Sequence, residues 1–424
     1  MKIFGVTAPM TGSGKTTVTL ALLSKLENSI SFKIGPDYID GQLHRMVSGK
    51  PTVSIDRWLQ GNDYRNIIGR YGTGYNFCVV EGVMGLKDSG SQANLSTSYY
   101  FEKLGIPYLL VVDISKVAES AFYIAKGFMG KHCIGVILNN YHSESHKGSV
   151  EREFLKHGTK IIGSIPYNPR NTLPERHMGI SLDVKKEGIR RIASDVGNYL
   201  DMSFVDQLPQ YPETNPRAPQ SIGGKKLNIY IAKDQAFNFY YETSLSALRA
   251  MGELHYFSPL QNEFPEKPDL IYFGGGYPEL YAKELSHATR SRAATLEFSE
   301  QGVPIIAECG GLMYLESSIE TADGKYPLAG VFPGTVKQNG KLTLNYTKLA
   351  AKSDSILFRK GDTVYGHEFH YSSIDDPSPK VLSNIIGKGI SGEDGLQRGN
   401  TFGSYSHFDF SRYYRRLYKS LSPT

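Results

Sequence analysis

Short apolar runs alternate with longer, helix-like stretches through the first half of the chain. The apolar runs are rich in Val, Ile and Leu, as is typical of strands buried on both faces of a parallel sheet. We therefore predict strands at Ile3–Val6, Ser31–Ile34, Phe77–Val80, Tyr108–Val112, Ile134–Leu138 and Ile161–Ile165. With helices between them, these strands predict an α/β domain with a parallel sheet.

A polar, proline-rich segment interrupts this pattern, and its composition is that of a linker. The alternation then restarts. Strands are predicted at Leu227–Ala232, Leu270–Phe273 and Ile305–Ala307, and helices at Leu245–Met251 and Ala293–Gln301. The fold class is therefore α/β, with two domains at 1–206 and 226–424, joined by a linker at 207–225. Each domain is expected to be a mainly parallel sheet flanked by helices.

A glycine-rich loop follows the first predicted strand and precedes an apolar, helix-like run. Strand, loop and helix in this order are the setting of a phosphate-binding P-loop. Lys15 would reach the β- and γ-phosphates, and Thr16 would offer its hydroxyl to Mg²⁺. Pro9 replaces the usual first glycine, so we expect a locally altered loop. The residues predicted to bind the nucleotide are Thr11, Gly12, Ser13, Gly14, Lys15, Thr16 and Thr17.

Several carboxylates follow or end strands at the edge of the sheet where the P-loop lies. Asp37 and Asp40 follow the second predicted strand, Glu81 follows the third, and Asp88 lies in the next loop. Each of these acids, taken alone, is more simply a residue that caps a turn. Together they favour a metal–phosphate site, because the carboxyl ends of parallel strands bind ligands. We predict that Thr16, Asp40 and Glu81 hold Mg²⁺.

Asn139 ends another predicted strand and is a candidate for contacting the adenine base. The simpler alternative is a turn residue at a strand end. The sequence from Asn139 to His142 does not match the Asn-Lys-x-Asp motif of GTPases, and the start of the P-loop lacks the extra lysine of partition ATPases.

Cys309 lies between a predicted strand and two glycines that open a helix-like run. This is the order of a nucleophile elbow built on cysteine, in which the helix N-terminus favours the thiolate. Backbone N–H groups of Gly275, Gly276 and Gly310 are candidates for an oxyanion hole. The alternative for Cys309 is a buried structural thiol.

Two histidine-containing stretches compete for the role of base. His407 and Asp409 are separated by one residue, and on a strand such side chains point to the same side. Asp409 is therefore predicted to orient His407, as a catalytic triad requires. In the other stretch, no Cys or Asp cluster completes a metal site around His367 and His370. We assign those two a structural or substrate-contacting role.

Composition narrows the class of protein. A chain of 424 residues with 40% hydrophobic and 21% charged residues is typical of a globular protein, and a net charge of +5 requires no nucleic-acid partner. No apolar run reaches the roughly 18–20 residues that a membrane span needs, and no signal peptide is recognised, so we predict a cytoplasmic protein. Cys78, Cys133 and Cys309 show neither disulfide nor zinc spacing.

Taken together, the motifs resemble the cobyrinic acid a,c-diamide synthase family. The first half is similar to dethiobiotin synthetase, and the second half is similar to a class I glutamine amidotransferase domain. The resemblance follows the family's order along nearly the whole chain, through residues 12–17, 33–40, 81–88, 173–179, 236–241, 274–280, 308–311, 366–371 and 405–410. It implies that Cys309 is the nucleophile and His407 its base. It also implies substrate contacts at Asp37, Tyr38, Ile39 and Asp88.

The resemblance implies a ligase that uses ATP, Mg²⁺ and glutamine to amidate the a- and c-acetate carboxylates of cobyrinate. Its partners would be small molecules: a tetrapyrrole polycarboxylate, glutamine and ATP. Nickel-sirohydrochlorin and hydrogenobyrinate are alternative macrocycles, and a homodimer is one of the assemblies that we consider. A cobyric acid synthase fits the loop around Asp37 less well. A non-enzymatic P-loop regulator is an alternative from another class of protein. The presence of Lys15, Cys309 and His407 argues against it.

Overall fold

The computed structural model describes residues 1–89, 95–173, 186–212 and 219–422. The chain forms two compact units, one of residues 1–57 with 61–218 and the other of residues 58–60 with 219–424. The predicted linker spans this division, and its residues 213–218 lie outside the described residues, as do residues 174–179 of the family resemblance. Within the described ranges, no helix is both long enough and apolar enough to cross a membrane.

The first unit is built on a sheet of parallel strands. They are β1 (Lys2–Thr7), β2 (Ser29–Ile34), β3 (Thr52–Ile55), β4 (Phe77–Glu81), β5 (Tyr108–Asp113), β6 (Cys133–Tyr141) and β7 (Ile161–Pro166). Their order across the sheet is β3-β2-β4-β1-β5-β6-β7. Every strand predicted for this half is present, and β3 is an additional strand that the sequence analysis missed.

Helices cover the strands of the first unit. They are α1 (Lys15–Lys25), α2 (Tyr38–Ser48), α3 (Arg57–Gln60), α4 (Ile67–Gly72), α5 (Thr97–Leu104), α6 (Ser120–Lys126), α7 (Glu144–Lys156) and α8 (Lys186–Gly197). The last three residues of α3 belong to the second unit. Val18 and Leu22 of α1 pack with Phe4, Val79 and Val196 in one buried cluster. This packing fixes the start of α1 at the carboxyl end of β1.

The second unit contains a larger sheet. Its strands are β8 (Leu227–Ala232), β9 (Gly252–Phe257), β10 (Leu270–Phe273), β11 (Ile305–Glu308), β12 (Ser318–Thr321), β13 (Gly324–Pro327), β14 (Thr335–Ala351), β15 (Thr363–Asp375), β16 (Lys380–Ile386), β17 (Glu393–Arg398) and β18 (Thr401–Ser404). Its helices are α9 (Glu242–Arg249), α10 (Ala282–His287), α11 (Thr289–Glu300), α12 (Gly310–Leu315) and α13 (Tyr414–Leu421).

One half of this sheet is parallel, in the order β9-β8-β10-β11-β18. The sheet continues from β18 through β17 and β16 to the long β14–β15 hairpin by antiparallel pairs. The predicted α/β class with parallel sheets flanked by helices is confirmed, and the antiparallel extension is an addition. Because β10, β11 and β18 run in the same direction, the loops that follow them meet at one edge.

Candidate active sites

The glycine-rich loop of the first unit has the backbone that a phosphate-binding loop needs. Gly12 and Gly14 have φ angles of 85° and 95°, and Gly14 is the N-cap of α1. These angles lie in the left-handed region, which glycine adopts without strain. Lys15 is buried, and its Nζ lies 3.4 Å from the carbonyl oxygen of Met10. The loop thus leads directly into the N-terminus of α1, the kind of helix end that binds anions.

Asn139, in β6, supports this loop through its side chain. Its Nδ2 donates to the carbonyl oxygen of Ser13 at 3.0 Å, and a Cβ added at Gly14 would lie 2.3 Å from that nitrogen. The structure thus gives Asn139 a contact with the loop itself. Contact between Asn139 and the adenine base stays a prediction.

The predicted metal residues come together beneath the loop. Thr16 Oγ1 lies 2.8 Å from Glu81 Oε1 and 3.3 Å from Asp40 Oδ1. Two residues that the sequence analysis missed complete the cluster: Lys33 Nζ lies 2.7 Å from Asp40 and 2.9 Å from Glu81, and His44 Nε2 lies 2.6 Å from Glu81. All five side chains are buried.

The cluster is held by opposite charges in a buried setting. Burial alone would raise the pKa of Glu81, but the charges of Lys33 and His44 hold it well below its ordinary value. Burial would likewise lower the pKa of Lys33, but the carboxylates of Asp40, Glu81 and Asp37 raise it instead. Both Lys33 and Glu81 therefore carry full charge across the physiological pH range.

The oxygen atoms of this cluster suit a divalent cation bound together with a nucleotide. Among the described residues, no three His, Cys, Asp or Glu side chains form a metal cluster by themselves. Mg²⁺ is usually held by one or two carboxylates plus substrate phosphates, so it needs no such group. Thr16, Asp40 and Glu81 supply one hydroxyl and two carboxylates, which is a fitting set.

The other predicted substrate residues lie around this cluster. Asp37 is the N-cap of α2, where its Oδ1 accepts from the N–H groups of Ile39 and Asp40. Tyr38 and Ile39 occupy the first turn of that helix and are half-buried. Asp88 is exposed, and its Oδ2 accepts from the N–H of Gly85, which closes a turn. Asp37 and Asp88 thus do cap local structure, and their contacts with a substrate stay predictions.

Replacing Lys33 by methionine should destabilise the first unit strongly. The substitution leaves the carboxylate of Asp40 and part of that of Glu81 buried without their cation, which costs about 3–5 kcal/mol. Urea denaturation would measure the loss. Lys50→Met, at an exposed position after α2, is the matched control and should leave the midpoint nearly unchanged. Equal midpoints for the two variants would contradict the importance of this charge pair.

In the second unit, Cys309 is held in a strained turn between β11 and α12. Its φ and ψ angles are 48° and −104°, a conformation that costs a non-glycine residue about 1–3 kcal/mol. The backbone N–H of Cys309 donates to the carbonyl oxygen of Ser404, at the end of β18, at 2.7 Å. Its Sγ lies 3.2 Å from the carbonyl oxygen of Phe369. This is the geometry of a nucleophile elbow.

The predicted oxyanion glycines pack against this elbow. A Cβ added at Gly310 would lie 3.0 Å from the nitrogen of Gly276, and one added at Gly275 would lie 2.3 Å from the ring of His407. Side chains larger than glycine would therefore displace the loop or the imidazole. The structure brings Gly275, Gly276 and Gly310 together next to Cys309 and His407, and their role as oxyanion donors stays a prediction.

His407 is fully buried and has a carboxylate beside it. Its Nδ1 lies 3.7 Å from Oε2 of Glu308, the last residue of β11. Glu308 is itself fixed, because it accepts from the hydroxyl of Tyr272 at 2.6 Å and from the N–H of Phe408 at 2.9 Å. Such a carboxylate can hold an imidazole in one orientation.

Asp409 occupies a different place from the predicted one. One of its oxygens accepts from the N–H of Ser411, and the other accepts from Thr243 Oγ1 and Gln60 Nε2. The strand ends at Ser404, so the rule that alternate residues share a face does not apply between His407 and Asp409. Glu308, and not Asp409, supplies the carboxylate next to the histidine.

The surroundings of Cys309 disfavour the thiolate in this conformation, contrary to the expectation that the helix favours it. Burial raises the pKa of Cys309 well above its ordinary value, and the carboxylate of Glu279 adds to the shift, while the N–H of Gly310 opposes it. The helix α12 has only six residues, so its influence is small. For Cys309 to act as a nucleophile, a base would therefore have to take the proton of its thiol.

The other histidine-containing stretch lies alongside. The ring of His367 stacks on that of His407 with centroids 4.9 Å apart, and its Nδ1 lies 3.0 Å from the hydroxyl of Tyr241. His370 stacks on Tyr405 at 3.8 Å, and its Nδ1 bonds the carbonyl of Ser372. These contacts hold both histidine rings in place within the fold, and a contact of either ring with a substrate stays a prediction.

Two models of protein families match the chain, one in each half. Residues 4–180 match a family described as the CobQ/CobB/MinD/ParA nucleotide binding domain. Residues 228–414 match the CobB/CobQ-like glutamine amidotransferase domain. The two matches contain the P-loop cluster and the Cys309 elbow, respectively.

Curated relatives match over nearly the whole chain. The chain is 35% identical to the cobyrinate a,c-diamide synthase of Sulfurisphaera tokodaii, over 96% of this chain and 97% of the relative. It is 36% identical to the cobyrinate a,c-diamide synthase of Thermoplasma acidophilum, over 94% of this chain and 94% of the relative. Among solved structures, a glutamine amidotransferase from Thermotoga maritima matches with a TM-score of 0.32 and 16% identity, over 43% of this chain and 76% of that chain.

Proposed function

Since the chain belongs to the cobyrinate a,c-diamide synthase family, we propose that it amidates the a- and c-acetate carboxylates of cobyrinate, with ATP and glutamine as co-substrates. One observation carries this proposal: the same chain holds a P-loop above a buried carboxylate–lysine cluster and a buried cysteine elbow with a His–Glu pair. The first arrangement suits activation of a carboxylate, and the second suits release of ammonia from an amide.

Activation is needed because a carboxylate does not react with ammonia directly. A carboxylate oxygen of the substrate attacks the γ-phosphorus of ATP, the bond to ADP breaks, and an acyl phosphate forms. The N–H groups of the P-loop and the ammonium of Lys15 bind the phosphate oxygens while charge shifts between them. Thr16, Asp40 and Glu81 would hold Mg²⁺, which neutralises charge on the phosphates. Lys33 fixes both carboxylates in position.

Ammonia is supplied by the cysteine site. His407 takes the thiol proton, and the sulfur of Cys309 attacks the carboxamide carbon of glutamine. The protonated His407 then donates its proton to the departing nitrogen, which leaves ammonia and a thioester that water hydrolyses to glutamate. Glu308 orients the imidazole and stabilises its positive charge. Ammonia then attacks the acyl phosphate, phosphate leaves, and an amide forms.

The proposal is tested by the products of the purified protein. The protein would be incubated with ATP, Mg²⁺ and glutamine labelled with heavy nitrogen in its amide, and with cobyrinate or nickel-sirohydrochlorin. We expect mass spectrometry to show two labelled amides on cobyrinate. Two amidations of nickel-sirohydrochlorin alone would overturn the proposed substrate. No amidation of any tetrapyrrole, together with no glutamate release, would overturn the proposed reaction.

A further inference from the structure

Glu279 is a carboxylate beside the elbow for which the reaction described above has no use. It lies in a short 3₁₀ helix, Pro278–Tyr281, that follows the Gly275–Gly276 turn. A Cβ added at Gly310 would lie 2.9 Å from the ring of Pro278, so this helix abuts the first residue of α12. The charge of Glu279 also acts on the thiol, since only burial affects the pKa of Cys309 more. Glu279 therefore lies on a segment that packs against the elbow of Cys309.

The carboxylate of Glu279 has no counter-charge in the part of the chain that the structure describes. Its Oε2 is buried and has no hydrogen-bond partner there, and no lysine, arginine or histidine of those residues forms an ion pair with it. Burial raises the pKa of Glu279 to about 7. A buried carboxylate without a cation is costly for the fold, and such groups concentrate at functional sites.

From this placement we infer that Glu279 binds the α-ammonium group of glutamine and selects for it. The inference rests on the proposed glutaminase reaction. The carboxamide of glutamine must reach Cys309, and the other end of the molecule carries an ammonium group that would otherwise lose its water without compensation. The carboxylate of Glu279, on the segment packed against the elbow, is its natural partner once ionised, because charge-assisted hydrogen bonds are the strongest of their kind.

The contact between Glu279 and the ammonium group of glutamine would also make the thiol of Cys309 more reactive. In the empty site, the negative charge of Glu279 disfavours a negative charge on the sulfur of Cys309. A bound ammonium group neutralises that charge, so the thiol of Cys309 gives up its proton more readily once glutamine is in place. An amide without the ammonium group would leave the repulsion unrelieved. Discrimination between amides would then be larger in kcat/KM than in binding alone.

The experiment compares two amides on the intact protein. Glutamine and glutaramate, which is glutamine without its amino group, would be assayed for amide hydrolysis by the wild type and by Glu279→Gln. We expect the substitution to lower kcat/KM for glutamine by about 10- to 100-fold, the effect of one hydrogen bond to a charged group. We expect kcat/KM for glutaramate to change little. Glu284→Gln, an exposed position of α10, is the matched control and should behave as the wild type does.

Alkylation provides a second measurement that does not depend on amide recognition. Iodoacetamide carries no ammonium group, so it reports on the thiol alone. Glu279→Gln removes a negative charge near Cys309, and we expect its alkylation, followed by peptide mass spectrometry, to be at least as fast as in the wild type. The variant should thus have a more reactive thiol and yet use glutamine less well.

Two results would overturn the inference. An unchanged ratio of kcat/KM between glutamine and glutaramate would show that Glu279 does not recognise the amino group. An equal loss for both amides, with slower alkylation, would show that the substitution merely damages the site. A wild type that releases no glutamate at all would contradict the proposed reaction itself, and this inference with it.

Discussion

Cys309→Ala should abolish amidation with glutamine while amidation with a high concentration of ammonium persists. The variant lacks the sulfur that attacks the carboxamide, and removing a nucleophile of this kind lowers turnover by at least about 10³-fold. The P-loop cluster is unchanged, so the substrate carboxylate can still be phosphorylated and can react with added ammonia. Product formation would be measured with each nitrogen donor in turn.

Cys133→Ala is the matched control, because Cys133 is a cysteine of the first unit whose Sγ contacts the backbone carbonyl oxygen of Gly135. It should retain both activities. Undiminished turnover of the Cys309 variant with glutamine would exclude Cys309 as the nucleophile. If activity with ammonium were lost as well, the division of labour between the two sites would be contradicted.

Lys15→Met should abolish amidation with either nitrogen donor. In the proposed reaction its ammonium binds the transferred phosphoryl group, and the loss of such a group costs roughly 10³-fold in turnover. The cysteine site lies in the other unit, so the thiol should still be alkylated by iodoacetamide. ADP release and amide formation would be measured together with thiol labelling.

Lys25→Met provides the matched control for this variant. Lys25 is the exposed lysine at the end of the same helix, where its Nζ lies 3.1 Å from Asn198. It should amidate at the rate of the wild type. A Lys15 variant that still amidates with ammonium at a similar rate would remove the P-loop from the proposed chemistry.

The parallel cores of both sheets were predictable from the sequence because buried strands are continuous apolar runs. The strands that were missed break that rule. β3 has only four residues, and two of them are polar. β14 mixes lysine, asparagine and glutamine with apolar residues, and β15 mixes histidine, glutamate, serine and aspartate with them. Alternating strands of this kind carry a weaker signal than buried ones.

The sequence predicted the acidic residues of the site in the first unit, but it did not predict the lysine and the histidine that pair with them. Glu81 and Asp40 follow strands at the expected edge, and the structure joins them to Thr16. Lys33 and His44 were missed because a lysine inside a strand and a histidine on a helix are ordinary residues in a sequence. Only the pairing of Lys33 with Glu81 across β2 and β4 reveals why a charged residue lies in a buried strand.

In the second unit, the glycine and histidine motifs pointed to Cys309 and His407, whose roles as nucleophile and base stay predictions, but no motif pointed to Glu308. The prediction chose Asp409 from spacing, which requires a strand that the chain does not form there. Glu308 directly precedes Cys309 at the end of a buried strand, where all four residues are buried. A glutamate in that position is itself a sign that it has a partner inside the fold.

The strained backbone of Cys309 makes the residue at this position informative when related sequences are compared. Holding φ at 48° is a cost that the proposed thiol chemistry would justify. In a descendant that drew its ammonia from another source, mutation would be free to replace the cysteine, and glycine would relieve the cost. Relatives that carry glycine at the position of Cys309 would therefore be expected to use a nitrogen donor other than glutamine.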